Sequence, residues 1–269
     1  KTPPCEFNCP VSIPTQKRIE LIREGKLSEA LNLIYEYSPF PASVCGQVCP
    51  NLCMNDCSRK YIDEHIKIAP LGIKSFENVD IKMVEPYKNK KVAVIGAGVA
   101  GLSCAWTLQK EGYNVEVFEK DDEIGGKLRQ VIPSDRLNQD TLNAELEIIK
   151  SSGIKFNLGI TIDNDEFERI QKEFDAVVVA IGAHNPAVIP IEGKERLIKG
   201  LDFLKEINKG NKVKVGNNVV IIGAGNAAMD VVIGAYKTGA KNVTAIDIQK
   251  PLAFDKEIEH AKSLGAKIL

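Results

Sequence analysis

The sequence predicts an α/β protein in which a small α-helical domain precedes two strand–helix units with parallel sheets. Three observations carry this prediction. Six of the seven cysteines fall between residues 5 and 57. A short apolar strand runs into a G-x-G-x-x-G turn and then a helix over residues 92–101. A second copy of that strand–turn–helix opens at Val219.

The N-terminal segment reads as helical. Pro14 opens a helix over Thr15–Glu24, with Ile19, Leu21 and Ile22 apolar and Gly25 ending it. Ser28 is the expected N-cap of the next helix, where Leu31, Ile34 and Tyr35 share one face. The turn Ser38-Pro39-Phe40-Pro41 delivers the chain to the second cysteine group, and the polar hinge Pro86–Lys90 marks a boundary. From Lys91 the pattern alternates, with strands expected at Val92–Ile95, Asn114–Glu119, Ile154–Asn157 and Ala176–Ile181, then at Val219 and at Asn242–Ile246. The charged run Asp163–Glu173 reads as a solvated helix with Asp165 as its cap. These breaks divide the chain into residues 1–86, 87–212 and 213–269.

Composition narrows the function. The chain has 269 residues and a net charge of −1, which gives no reason to expect a nucleic acid or an anionic membrane as partner. No apolar run approaches the ~18 residues of a membrane span and no signal peptide is visible, so a cytoplasmic protein is expected. The opening Lys1-Thr2-Pro3-Pro4-Cys5 lacks a Met, so the natural N-terminus is expected upstream.

Cys45, Cys49, Cys53 and Cys57 recur every fourth residue, and Cys5 and Cys9 share that spacing. Clustered cysteines staple secreted domains as disulfides, but here they lead into a nucleotide-binding pattern, which favours metal ligation. Six thiolates exceed the four that one structural zinc takes, and iron–sulfur clusters need soft ligands on a short stretch of backbone. Cys104 lies alone in a helical pattern and reads as a small core residue. His65, His184 and His260 are isolated and read as structural.

The run Pro3-Pro4-Cys5, Cys9-Pro10 and Ile13-Pro14, followed by Cys45-Gly46-Gln47-Val48-Cys49-Pro50, resembles the N-terminal domain of the glutamate synthase small subunit. The same domain precedes the flavin domain of dihydropyrimidine dehydrogenase. The resemblance covers essentially the whole chain and implies two [4Fe–4S] clusters. It makes Cys9, Cys49 and Cys53 ligands of one, with Cys45 as the fourth, and gives Cys5 and Cys57 to the other. Three departures accompany it. A C-x-x-C pair before Pro-Pro-Cys is missing, and the Cys49–Cys53 spacing is shorter than in the family. The family's Glu or Gln ligand is also absent, with Gly72 near its place. The short spacing and Asp247–Pro251 are similar to a branch named for selenate reductase iron–sulfur subunits.

In the first motif, Gly96, Gly98 and Gly101 supply the turn, the approach to a pyrophosphate and the helix–strand contact, with Ala100 beside them. Glu119 ends the second strand, where a carboxylate bonds ribose hydroxyls, and Lys120 follows it. The continuation Ile124-Gly125-Gly126-Lys127-Leu128-Arg129, with Arg136 beyond it, is similar to the family's FAD loop. The resemblance implies that Gly125, Gly126, Lys127 and Leu128 lie near the flavin. Ala180-Ile181-Gly182 resembles the strand end where the chain re-enters the FAD domain.

The second motif places Gly223, Gly225, Asn226, Ala227 and Ala228 in the same arrangement, with Ala228 in the third glycine's position. It resembles the family's G-x-G-N-x-A-M-D nucleotide motif. NADP-dependent members carry Tyr-Arg-Arg where this chain has Asp247-Ile248-Gln249. A carboxylate there bonds the 2′-hydroxyl of NAD and repels a phosphate, so NAD(H) is expected over NADP(H), although Lys250 is near.

The resemblance therefore implies an iron–sulfur domain followed by an FAD domain with an NAD(P) domain inserted in it, cut short at the C-terminus. Such a chain passes electrons between NAD(P)H, FAD and [4Fe–4S] clusters. They would go to a partner catalytic subunit or domain, or in a stand-alone enzyme to a ferredoxin-like carrier. A structural assembly subunit is the rival reading, and it would show degraded nucleotide motifs. No catalytic acid or base is expected, because the cofactors carry the chemistry.

Overall fold

The computed structural model describes residues 2–81, 84–185 and 190–269. By packing, the chain forms two units, Lys1–Leu128 with Arg136–Gly182, and Arg129–Asp135 with Ala183–Leu269.

The first unit begins with the helices α1 (Pro4–Phe7), α2 (Thr15–Arg23) and α3 (Leu27–Asn32). A π-helix over Pro41–Val48 follows, then α4 (Leu52–Asn55) and α5 (Ala69–Glu77). Apolar residues at helical spacing, among them Leu21, Ala30, Leu31, Ile34 and Tyr35, are buried together with Phe40 and Ile68. The helix α3 starts one residue before Ser28, with Lys26 at the cap position, so Ser28 lies in the first turn and is not the N-cap. Helix α5 crosses the π-helix at glycines. A Cβ on Gly72 would stand 2.2 Å from the Pro41 carbonyl oxygen, and one on Gly46 would stand 2.9 Å from Ile73 Cγ1. The glycine in place of the family's Glu or Gln is thus fixed by backbone contact.

The strands β1 (Lys91–Ile95), β2 (Asn114–Phe118), β3 (Lys155–Asn157) and β4 (Ala176–Val179) form a parallel sheet in the order β3-β2-β1-β4. Val92 pairs with Val115 on one side and Ala176 on the other. The crossovers carry α6 (Val99–Lys110), the short α7 (Lys127–Gln130), α8 (Gln139–Lys150) and α9 (Asn164–Glu173). Phe118 and Phe174 meet edge to face at 5.9 Å beside Ala93 and Ile170. Helix α9 is capped by Asp163, whose Oδ1 accepts the Glu166 N–H at 2.9 Å, and not by Asp165. The extended backbone of Asp163 aims its carboxylate back at the first turn, while Asp165 already lies inside the helix.

Within this unit the N-terminal helical region is tied to the sheet's helices by polar contacts. Trp106 Nε1 donates to the Tyr35 carbonyl at 2.9 Å, and Lys110 pairs with Glu36. Glu145 on α8 is fully buried and accepts the Ala42 N–H at 2.5 Å and the Ser43 N–H at 3.1 Å. These amides belong to the first turn of the π-helix, which has no partner for them within itself.

The second unit holds α10 (Gly200–Asn208), β5 (Asn218–Ile222), α11 (Asn226–Lys237), β6 (Asn242–Ile246), α12 (Asp255–Ser263) and β7 (Lys267–Ile268). Its sheet is parallel in the order β5-β6-β7. Ile221, Met229, Val232, Val243 and Ala245 form its core with Phe203 and Leu204 of α10. Gly234 lets α10 close on α11, since a Cβ there would stand 3.1 Å from both Ile207 and Phe203 side chains. The α/β class with parallel sheets behind an N-terminal helical region is as expected.

Candidate functional site

Six cysteines lie in the N-terminal helical region, near enough for their charges to act on one another. All seven are free thiols. Cys45 sits in the π-helix, Cys49 just after it, Cys53 in α4, and Cys9 after α1. Burial pushes the Cys45 thiol up to about 12, with the charges of Cys49, Cys53 and Cys9 adding to the rise and Arg18 opposing it. Cys53 is raised to about 11, by burial first and then by Cys49, Cys9 and Cys5. Cys5, also raised chiefly by burial, feels Cys57. Thiols so grouped repel one another as anions unless a cation sits among them, and metal binding removes their protons. The Asn51 N–H donates to Cys49 Sγ at 3.4 Å from a left-handed backbone at φ 59°. Cys9, Cys45, Cys49 and Cys53 act on one another, and Cys5 acts on both Cys57 and Cys53. Among the described residues no three His, Cys, Asp or Glu groups converge on a single-ion site. A zinc would need its sulfurs about 4 Å apart, closer than the ligands of a larger cluster.

The two glycine turns repeat one design. Gly96 (φ +105°) and Gly223 (φ +114°) take the left-handed backbone that turns strand into helix. A Cβ on Gly101 would stand 1.9 Å from the Gly96 carbonyl oxygen, so that glycine serves helix–strand packing. Gly98 and Gly225 are different. Their backbones are extended at φ −80° and −84°, and a Cβ on either would meet nothing within 4 Å. Neither conformation nor packing demands glycine at these two positions. Glycine there leaves the helix N-terminus open for close approach of a ligand, which fits a pyrophosphate. Ala100 and Ala227 are exposed beside them, and Ala228 is half-buried in α11.

A carboxylate anchors each turn. Glu119 Oε2 accepts the Ala97 N–H at 2.6 Å and Oε1 the Asp121 N–H at 3.1 Å. Asp247 repeats this, accepting the Ala224 N–H at 2.8 Å and the Gln249 N–H at 3.2 Å. Each oxygen keeps a lone pair for a ribose hydroxyl. The following segment closes over each turn, Gly125 N–H donating to the Ala97 carbonyl at 2.8 Å and Ala253 N–H to the Ala224 carbonyl at 3.1 Å.

Other expected residues fall in varied places. Gly126 (φ +50°) packs so closely that a Cβ would stand 2.9 Å from Gly98 Cα, so the glycine pair approaches the first turn itself. Leu128 is buried, Lys127 and Arg136 are half-buried, and Lys120 is exposed. Ala180 N–H donates to the Ile95 carbonyl at 2.8 Å, and its own carbonyl lies where a Gly96 Cβ would be. Ile181 and Gly182 (φ +74°) are exposed beyond it. Asn226 Oδ1 accepts the Phe254 N–H at 2.9 Å, fixing the segment after β6. Sequence reasoning missed Glu145 and Arg18. Arg18 carried a signal, since it precedes Leu21 by three residues on the buried stripe of α2; Glu145 carried none.

Two glycine turns with anchored acids, behind a helical domain that gathers cysteines, define a class: oxidoreductases that combine dinucleotide cofactors with an iron–sulfur domain. The chain belongs to the pyridine nucleotide-disulphide oxidoreductase family, whose model matches residues 90–263. Residues 1–84 match the model of dihydropyrimidine dehydrogenase domain II, 4Fe-4S cluster. The cofactor set of these two domain types is FAD, NAD(P) and a [4Fe–4S] cluster. The chain is 37% identical to the NADPH-Fe(3+) oxidoreductase subunit beta of Geobacter sulfurreducens over 259 residues, 91% of this chain and 38% of that one. It is 31% identical to the glutamate synthase [NADPH] small chain of Halomonas elongata, across 99% of this chain and 61% of that one. The chain thus spans about two fifths of the Geobacter relative's length. Among solved structures, the 2-naphthoyl-CoA reductase complex matches all of the chain and 37% of its own, with TM-score 0.60 and 22% identity. FprA from Mycobacterium tuberculosis in complex with NADPH matches 66% of this chain and 48% of its own, with TM-score 0.57 and 18% identity. Those two likenesses speak for the fold.

Proposed function

We propose that this chain is an electron-transfer oxidoreductase component that takes electrons from a nicotinamide nucleotide and delivers them to a partner catalytic subunit or domain. When bound, FAD would accept a hydride from the nicotinamide and [4Fe–4S] clusters would carry single electrons onward. The observation that carries the reading is the pair Gly98 and Gly225, each glycine without a conformational or packing reason, in two turns of one chain.

The residues divide the work. Cys9, Cys45, Cys49 and Cys53 hold one cluster, and Cys5 and Cys57 contribute to a second. Gly96, Gly98, Ala100 and Gly101 admit the FAD pyrophosphate to the α6 N-terminus, and Glu119 faces its ribose. Gly125, Gly126, Lys127, Leu128, Arg136 and Ala180–Gly182 shape the rest of that site. Gly223, Gly225, Asn226, Ala227 and Ala228 receive the nicotinamide nucleotide. Asp247 places a negative charge where a 2′-phosphate would sit, which favours NADH. Residues 1–86 would be the cluster domain, 87–212 the FAD domain and 213–269 the nucleotide domain, with α10 of the middle segment packed into the core of the second unit. The relatives named as beta subunits and small chains favour a partner subunit over a free ferredoxin-like carrier. No helix among the described residues is long and apolar enough to cross a membrane, and a cytoplasmic site of action suits this chemistry.

Anaerobic titration of the purified protein with NADH and with NADPH tests the reading. Loss of the flavin band together with the broad iron–sulfur absorbance, at lower NADH than NADPH, is expected. A larger response to NADPH would overturn the nucleotide assignment, and no response to either would overturn the function.

A further inference from the structure

Arg18 is a cation buried without a counter-charge. Its side chain, on α2, has no solvent exposure. Nε donates to the Ala30 carbonyl at 2.9 Å, and Nη2 donates to the Leu71 carbonyl at 3.2 Å and to Ser75 Oγ at 2.7 Å. Nη1 is buried and has no hydrogen-bond partner among the described residues. Among the described residues no carboxylate pairs with the guanidinium, and the titratable group that acts on it is Cys45.

Its surroundings hold it in that place. Leu71 and Ser75 belong to α5, and α5 lies with Gly72 against the Pro41 carbonyl at the start of the π-helix that carries Cys45. Burying an unpaired ion costs several kcal/mol, and a buried orphan N–H adds to that cost. Such an arrangement persists when a further group supplies the missing charge and acceptor. A thiolate-ligated iron–sulfur cluster is net anionic, gains one more negative charge on reduction, and accepts hydrogen bonds at its sulfurs.

We propose that Arg18 is the counter-charge of the cluster held by Cys9, Cys45, Cys49 and Cys53, with Nη1 donating to sulfur beside Cys45, and that it raises that cluster's reduction potential. The inference rests on the cluster assignment under the proposed function. Arg18 is a positioning residue here, acting on the cluster by charge and hydrogen bond without ligating iron.

The test is an EPR-monitored redox titration of the purified wild type and of Arg18→Met, Arg18→Lys and Ser75→Ala, each with its iron content measured. Arg18→Met is expected to disfavour reduction at least tenfold, a shift of about 59 mV to more negative potential for a one-electron couple. Arg18→Lys keeps the charge and recovers most of the shift, and Ser75→Ala, which removes only an anchor, leaves the potential near wild type. An Arg18→Met potential within about 28 mV of wild type, a threefold change in the reduction equilibrium, at full iron content overturns the inference. Should Arg18→Met fail to fold, wild type grown with ¹⁵N-arginine decides. A hyperfine coupling from an arginine nitrogen to the reduced cluster that disappears in Arg18→Lys supports the inference, and its absence from wild type overturns it. A wild type that holds no iron overturns the cluster assignment, and the inference falls with it.

Discussion

Burial of Glu145 predicts a stability that falls with rising pH, and substitution with Gln should abolish the fall. The carboxyl is fully buried, and burial raises it from its ordinary 4.5 to about 7, against the lowering effect of the Ala42 and Ser43 amides. Below about pH 4.5 the folded and unfolded chains both hold the proton, and Glu145 costs nothing. Between there and pH 7 the unfolded chain releases its proton while the folded chain keeps it. Stability therefore declines by up to about 1.4 kcal/mol per pH unit. Above pH 7 both states are ionised and the full loss, ~3 kcal/mol, is reached. Glu145→Gln retains an acceptor oxygen and loses the charge, so its stability carries no such slope. The sequence's one tryptophan, Trp106, is buried at the same junction, bonded to the Tyr35 carbonyl, and reports unfolding by fluorescence. Urea midpoints for both proteins from pH 5 to pH 8 are the assay. Glu145→Gln should gain on the wild type by ~3 kcal/mol across that range. A constant gap between the two would refute the reasoning.

Gly98→Ala should fold as well as wild type and lose FAD, because the added methyl meets no protein atom and occupies the ligand's approach; flavin content and melting temperature read this together. Gly225→Ala should leave flavin content intact and weaken nucleotide binding by tenfold or more, measured by titration of the flavin band. Gly72→Gln should destabilise the protein by several kcal/mol, since its Cβ would stand 2.2 Å from the Pro41 carbonyl, and urea unfolding measures the loss. Asp247→Asn keeps an acceptor for the Ala224 amide and removes the charge. It should raise use of NADPH relative to NADH by about tenfold, a difference of about 1.4 kcal/mol, in steady-state kinetics.

Much of this architecture is legible in the sequence because it is encoded locally. The strands declare themselves as short β-branched runs, and each glycine turn sits where strand gives way to helix. Glu119 and Asp247 are equally visible as acids at strand ends. Their grip on the Ala97 and Ala224 amides is not, because it depends on how the turn folds back across the sheet edge. The caps misread at Ser28 and Asp165 each lie one or two residues inside the true helix start, where several capping residue types crowd together. The π-helix at Pro41–Val48 has no sequence signature; it forms where Glu145 holds its first amides and Gly72 lets α5 press on it. Arg18 and Glu145 take their meaning from partners 12 to 103 residues away. No local pattern reveals a contact of that kind.

The central claim is that one chain connects nucleotide, flavin and cluster in a working order. Freezing the anaerobic protein within milliseconds of mixing with one equivalent of NADH, and recording its EPR spectrum, tests that claim most directly. The account predicts the signal of a reduced [4Fe–4S] cluster growing in step with bleaching of the flavin. A flavin fully reduced by NADH beside clusters that remain EPR-silent, yet reducible by dithionite, would contradict it.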